Sequence, residues 1–479
     1  MVLTRLLDKK AIQRLKRFFP LFIILLSSLF ARYLFYLSID EPIQISDSPT
    51  YIDGAMSLYY HVGFSEYRPP VYPLILMVLG VTYLWKNLPT SIVILQVILS
   101  MICVLYVYKL VEEVFQKKFL SFFTALMVSL SFSIYRWDFM VLTESISILQ
   151  VTLISYLLVM YFKYRKPAHM RVMLLLLFTS IFTKPFFLLL PVLVITLIGL
   201  ELVFTKYIYK KPVEIRPIAK TLIRGFCVIY LSVFLYSAIN FAENFYFGFS
   251  SVGNVNTFGK VLQYNMEDYG MDKELVNDIK TAFKTENQNF IVEGKFLEPW
   301  HFIGIYGWNK QHYQAVAKFS KDIIQRHPLE YLCKSLKLTK ELFVLKSPFK
   351  DYIADGALSK ANHPNPIMLL LKSFTQKFEM LYILMIVSLF EMIYLFIFRK
   401  KERLQKDGFI TFALLSIVLY HYFISAFLSY GDYCRLLAPS YTLIYIILCF
   451  YTYRFTVSVL QLGVCSARYF MLTCKRISK

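Results

Sequence analysis

Long runs of apolar residues recur along this chain, and short stretches rich in Lys and Arg separate them. A helix that crosses a bilayer needs about 20 mostly apolar residues. Runs approaching that length lie at 18–37, 91–112, 119–137, 145–162, 172–184, 186–204, 222–240, 380–398, 409–427 and 437–455. Basic residues concentrate at 5–17, 116–118, 163–171, 205–221 and 399–406. The positive-inside rule puts those stretches, and with them both termini, in the cytoplasm. The pattern predicts an all-α polytopic membrane protein with about ten transmembrane helices. The basic run 5–17 leads straight into a full-length span with no small-residue cleavage site, so it reads as an anchor rather than a cleaved leader.

Two apolar segments need a decision. Residues 172–204 are flanked on both sides by basic loops, so the chain must enter and return, and Thr183-Lys184-Pro185 is the natural apex. That predicts two short helices with Lys184 near the outer surface. Residues 71–85 are too short for an ordinary span, and counting them as one would turn every later basic loop outward. They predict a re-entrant or interfacial helix on the outer side.

The outer side then receives an acidic first loop, 38–70, with Asp40, Glu41, Asp47, Asp53 and Glu66, and two short segments, 138–144 and 428–436. It also receives a long polar stretch, 241–379, with helical periodicity at 314–326 and 328–345. The expected organisation is a transmembrane module at 1–240, a mainly helical extracytoplasmic domain at 241–379, and transmembrane helices with a basic tail at 380–479.

Composition supports lipid as part of the solvent. Apolar residues make up 57% of the chain and charged residues 17%, and mean hydropathy is +0.53. The formal charge of +21 sits in the loops rather than in a patch, which argues against nucleic acid as partner. The cysteines are scattered singly, so neither a zinc site nor a disulfide framework is indicated. Cys333 and Cys434 alone fall in outer segments, where a bridge between them would be allowed.

The candidate chemistry lies on the outer side. Asp47 precedes Tyr51, Ala55 and Leu58 at helical spacing, as in an amphipathic helix on the membrane surface, where the acid either caps the helix or acts on a substrate. Arg68, before Pro69 and Pro70, sits at headgroup level, as an interfacial anchor or as a ligand for an anionic phosphate. Glu144 opens a span, where a carboxylate also suits the helix dipole. Lys184 is embedded in an apolar hairpin. A charge there costs a few kcal/mol by insertion scales, which favours a functional role over snorkelling. Arg435 stands at the mouth of a late span, where Asp432 could pair with it.

In this order the pieces resemble the C-type-fold integral membrane glycosyltransferases, the superfamily of protein O-mannosyltransferases and the lipid A aminoarabinose transferase. The matching elements are Asp47, Tyr51 and Ala55, the prolines of 69–73, the span 91–118, Leu142-Thr143-Glu144, and Thr183-Lys184-Pro185. Asn244 with Gly248, Arg326-His327-Pro328 with Tyr331, and Arg435 with Pro439 match later motifs. In three places the chain departs from the pattern. Ser46 and Ser48 flank Asp47 where relatives often have paired acids, Lys184 replaces the usual Arg, and Tyr67 replaces an acid found one residue later than Glu66.

The resemblance implies inverting transfer of a sugar from a polyprenyl-phosphate donor to an acceptor hydroxyl on the outer face of a membrane, with the plasma membrane the expected location. Asp47 and Glu144 would be catalytic, and Tyr51, Arg68, Lys184 and Arg435 would bind substrate. It also allows a divalent metal ion held by Asp47, Glu66 and Glu144. The acceptor, whether glycan, lipid or protein, is not specified. A flippase or transporter for a lipid-linked saccharide would want similar cations but also an inverted repeat of spans, which the sequence lacks. A polysaccharide polymerase or ligase fits the Asp47 helix and paired prolines poorly.

Overall fold

The computed structural model describes residues 9–390 and 406–457, apart from 40, 46, 84, 209, 211, 286–290, 293–295, 306–309 and 345–364. Within these, eight helices are long and apolar enough to cross a membrane, or nine when one bent pair counts as a single span. With the shorter apolar helix Pro167–Thr183 the architecture is the expected all-α, multi-pass membrane protein. Residues 391–398 of the expected span 380–398, most of the basic loop 399–406 and the C-terminal tail lie outside the described residues, as do Asp40 and Ser46.

The spans are not equivalent. In Glu144–Tyr164 and Tyr433–Val457, 78% of the apolar window is enclosed by other helices, against 22% in Ile215–Asn244. Those two are the centre of the bundle, and each carries a candidate residue, Glu144 or Arg435, at its N-terminal end.

Two expected spans take a different form. Residues 119–137 are two helices, Lys118–Leu130 and Phe132–Phe139, that meet at 55°. Ser131 between them is extended (φ −67°, ψ 113°), and its hydroxyl donates to Glu379 Oε1 at 3.1 Å, so a polar contact replaces the helix ladder there. The span expected at 380–398 starts earlier, at Pro366, where the Asn365 side chain accepts from Ile367 N at 3.0 Å and Met368 N at 3.3 Å. Lys372, Lys377 and Glu379 lower the apolar average of its first half and hid it from the periodicity. Glu379 is buried under hydroxyls of Ser131, Ser133 and Tyr445. Lys184 is also buried, at the break between Pro167–Thr183 and Leu190–Val203, and it does not snorkel outward.

The short helix appears as Val71–Tyr83, 13 residues. At 1.5 Å per residue it spans roughly 20 Å, less than a hydrocarbon core. It packs against Ser48–Tyr59, with Gly54 of that helix facing Pro73. Two helices expected in the long outer stretch are present as Lys310–Arg326 and Pro328–Val344. That stretch also contains Val252–Gln263, Lys273–Thr285, Pro299–Ile305 and a two-residue antiparallel strand pair. No disulfide joins Cys333 and Cys434.

One ion pair inside the bundle gave no sequence signal. Arg32 Nε meets Asp138 Oδ2 at 2.8 Å, both about 1% exposed, and Arg32 also reaches the hydroxyls of Ser28 and Ser100. Pairing is what makes such charges tolerable away from water.

The loop charges make orientation a direct prediction. In a background without native cysteines, cysteines at Tyr60 and Met271 should react with an impermeant thiol reagent in intact cells. Cysteines at Lys117 and Arg216 should not. Labelling at Lys117 from outside would overturn the reading of Val71–Tyr83 as a helix that does not cross.

Candidate functional site

Five charged side chains from five separate segments form a continuous alternating chain. Arg68 Nη2 lies 2.7 Å from Asp47 Oδ1, and Arg435 Nη1 lies 2.7 Å from Asp47 Oδ2. Arg435 Nε then donates to Glu144 Oε1 at 2.6 Å, and Lys184 Nζ donates to the same oxygen at 2.9 Å. Of the residues expected to be catalytic, substrate-binding or metal-binding, all but Glu66 are therefore in one place, Tyr51 included, whereas Arg326, His327 and Tyr331 lie on the helices Lys310–Arg326 and Pro328–Val344 or between them.

Local structure explains how each side chain arrives. Asp47 immediately precedes helix Ser48–Tyr59 but makes no capping hydrogen bond; Ser48 Oγ instead accepts from Ile45 N at 3.0 Å. Glu144 begins Glu144–Tyr164, and its carboxylate turns to the two cations rather than to the helix amides. The capping alternative is therefore closed for both acids. Lys184 is extended (φ −148°, ψ 124°) because Pro185 disfavours helical geometry in the residue before it. Arg435 sits in the short helix Tyr433–Leu437 and pairs with Asp47 and Glu144 rather than with Asp432.

Arg68 is held most elaborately. Its Nε donates to Thr50 Oγ1 at 2.8 Å, and its guanidinium lies 4.5 Å from the Tyr51 ring centroid, a favourable cation–π contact. Tyr51 packs edge-on against Tyr72, centroids 5.0 Å apart. Gln96, near Tyr72, anchors the Asp138 and Met140 carbonyls at 3.0 and 2.8 Å. The backbone before Arg68 is pinned from the end of Ile215–Asn244. Phe64 N donates to Glu243 Oε2 at 2.7 Å, Asn244 Nδ2 donates to Phe64 O at 3.0 Å, and Ser250 Oγ donates to Tyr67 O at 2.6 Å. This gives Asn244 a physical role. Gly248 has one too: a Cβ there would collide with the Tyr246 ring at 2.6 Å. Thr50, Gln96, Glu243 and Ser250 were not singled out by the sequence, since isolated polar residues in loops or spans carry no pattern.

The chain of charges has an open end and a closed end. Asp47 is 28% exposed at the side chain, whereas Glu144 is 0% exposed. Burial alone would raise the Asp47 carboxyl, but Arg435 and Arg68 outweigh it and hold the pKa at about 2. A carboxyl depressed below its unfolded value of about 3.9 contributes stability that is complete above that pH and is lost as pH falls through about 2.

Three of the four carboxylate oxygens of Asp47 and Glu144 face Arg68, Arg435 or Lys184, and the fourth, Glu144 Oε2, is buried without a hydrogen-bond partner. A divalent ion bound among them would lie beside three positive charges. Glu66 contributes its backbone carbonyl to Ser251 N at 2.9 Å, and its carboxylate takes no part in the ion pairs. Among the described residues, no three of His, Cys, Asp and Glu come together in a way that could hold a metal.

Residues 67–216 match the dolichyl-phosphate-mannose-protein mannosyltransferase family. The resemblance to membrane glycosyltransferases of this superfamily therefore holds, and the matched stretch contains Arg68, Glu144 and Lys184. Asp47 and Arg435 lie outside it. No curated protein matches the chain. Among solved structures, the archaeal oligosaccharyltransferase AglB from Archaeoglobus fulgidus, in complex with an inhibitory peptide and a dolichol-phosphate, aligns at TM-score 0.49 and 10% identity, covering 94% of this chain and 52% of that one. The apo form of the Archaeoglobus fulgidus oligosaccharyltransferase aligns at TM-score 0.46 and 11% identity, with the same coverage, 94% and 52%. The chain spans about half the length of these proteins.

Proposed function

We propose that this protein is a membrane glycosyltransferase that moves a sugar from a polyprenyl-phosphate carrier to an acceptor hydroxyl on the outer face of the membrane, most simply the plasma membrane. The observation that carries this reading is the alternating charge chain, exposed at Asp47 and sealed at Glu144. Three cations and two carboxylates leave it with one net positive charge, which a phosphodiester of charge about −1 would neutralise.

The acceptor oxygen attacks the anomeric carbon from the side opposite the phosphate. The bond from that carbon to the phosphate oxygen breaks, its electron pair leaves on the phosphate, and the acceptor proton passes to Asp47. Single displacement inverts the anomeric centre. The leaving phosphate becomes a dianion as Asp47 becomes neutral, so the site stays electrically balanced throughout. Arg68 and Arg435 stabilise the growing phosphate charge in a low-dielectric setting, where such contacts are strongest. Glu144 and Lys184, enclosed behind them, hold Arg435 in line.

Asp47 with a pKa of about 2 is a weak base while both arginines bind it. The donor phosphate competes for the same guanidinium groups and, in drawing them off, raises the basicity of Asp47. The base is therefore unmasked by the donor, and the acceptor should follow the donor in binding order.

The test is twofold. Lipid and glycan profiles of a deletion strain should lack one sugar residue that the intact gene restores. Purified protein given the corresponding polyprenyl-phosphate sugar should release polyprenyl phosphate only when the acceptor is present. A deletion profile identical to the parent, together with donor left intact by the purified protein, would overturn the assignment.

A further inference from the structure

Lys260 lies outside every motif discussed above. It sits on helix Val252–Gln263 of the long outer stretch, whose Val255, Phe258, Val261 and Leu262 are buried. Lys260 itself is 0% exposed. Its Nζ donates to Gln263 Oε1 and to the Tyr433 hydroxyl, both at 3.0 Å, and that hydroxyl donates to Gln263 Oε1 at 2.8 Å. The ammonium also lies 5.1 Å from the ring centroids of both Tyr264 and Tyr433. Among the described residues no carboxylate forms an ion pair with it, and burial pulls its pKa well below that of an ordinary lysine. A buried lysine held only by neutral groups is costly to keep.

The segment it grips leads directly into the charged chain. Gly431 (φ +62°) and Asp432 (φ 39°) are consecutive residues in the left-handed region, a conformation that an L side chain holds only with outside support. The Asp432 carbonyl accepts from Arg435 N at 3.0 Å and Leu436 N at 3.1 Å, which opens the turn that carries Arg435. On the near side, Tyr430 packs on the bare backbone of Gly259, where a Cβ would lie 2.3 Å from the ring, and its hydroxyl donates to Glu298 Oε1 at 2.6 Å. On the far side is the Lys260–Gln263–Tyr433 triangle. The left-handed turn is clamped at both ends from the outer stretch.

We propose that Lys260 is a positioning residue: with Gln263 it fixes Tyr433, and through the turn at Asp432 it sets where Arg435 meets Asp47 and Glu144. The assignment deepens the transferase reading given above and rests on it for its kinetic consequences, but its structural content can be measured separately. It makes the outer stretch part of the catalytic geometry rather than a cover over it.

The experiment uses the purified full chain with Lys260→Met, which keeps the length and removes the donor, and Tyr433→Phe, which removes one hydroxyl and guards against a folding failure. Hydrogen exchange should show lost protection at the Arg435 and Leu436 amides in both variants, with spans such as Glu144–Tyr164 unchanged. Turnover should fall about 10- to 100-fold, as expected when a reacting-site group is displaced by about an ångström. In an Arg435→Lys background the further loss from Tyr433→Phe should largely vanish, since both changes act through the same group. Unchanged exchange at 435–436 would overturn the proposal whatever the activity. Additive losses would overturn it too, because a purely structural residue would destabilise both backgrounds alike. A wild-type chain with no transfer activity would instead refute the transferase reading, while the exchange result would still decide whether the clamp exists.

Discussion

An Asp47→Asn variant should fold and reach the membrane normally, yet turn over about 10²- to 10⁴-fold more slowly. The amide has the shape of the acid, its single oxygen can still accept from one of Arg68 and Arg435, which the two carboxylate oxygens hold separately, and Asp47 caps no helix amide, so the helix does not depend on the charge. The variant loses the proton acceptor. It also loses the carboxylate that competes with donor phosphate for two guanidinium groups. Binding of the polyprenyl-phosphate sugar, or of polyprenyl phosphate itself, should therefore be as tight as in the parent or tighter, while kcat falls. A residue that merely held the arginines in place would produce the opposite pairing, weakened binding with a smaller loss of kcat. Single-turnover transfer and equilibrium binding on the same preparation separate the two. Transfer at the parent rate would remove Asp47 as the base.

Glu144→Gln should be the most destabilising conservative change in the site. Glu144 is wholly enclosed, and its Oε1 is shared by Lys184 and Arg435. Removing its charge leaves Lys184 buried beside Phe186 with no acid partner, and breaking a buried ion pair in this way costs about 3 to 5 kcal/mol. Adding Lys184→Met should recover much of that loss, because an apolar side chain of similar length suits the site once the acid is gone. Turnover should not recover with stability: Arg435 has lost its anchor in both variants. Thermal unfolding in detergent followed by tryptophan fluorescence, run beside the transfer assay, reads the two quantities independently. If Lys184→Met alone were as stable as the parent, and the double variant no better than Glu144→Gln, the lysine would not be Glu144's structural partner.

The residues that form the site were visible in the sequence because each breaks a local rule. Lys184 is a charge inside an apolar hairpin, Glu144 an acid at the head of a span, and Arg68 a cation before two prolines. What each does there was not visible. From the sequence Asp47 and Glu144 could each cap a helix or act on a substrate, Arg435 could pair with Asp432 or bind a ligand, and Lys184 was expected near the outer surface. A hydrogen bond has a range of about 3 Å, whereas residues 47, 68, 144, 184 and 435 are separated by tens to hundreds of positions, so their pairing is a property of the packed bundle. The supports are harder still to see. Glu243, Ser250 and Lys260 are ordinary polar residues in a polar stretch, and only contact across the fold distinguishes them.

The sequence by itself determined the class of this protein. Apolar run length and loop charge are set by the bilayer, which acts on each segment separately, so spans and short interfacial helices can be read one at a time. It also determined which residues were out of place. The tertiary structure alone decided where two spans differ from the pattern, because the bend at Ser131 and the early start at Pro366 depend on Glu379 finding hydroxyls on other helices. It alone assembled the charge chain, in which each acid meets cations from other segments. The physical reason is the same in each case. Hydrophobicity acts on each residue alone and sums along the chain, whereas burying a charge depends on finding a specific partner, and that partner is known only once the helices are packed.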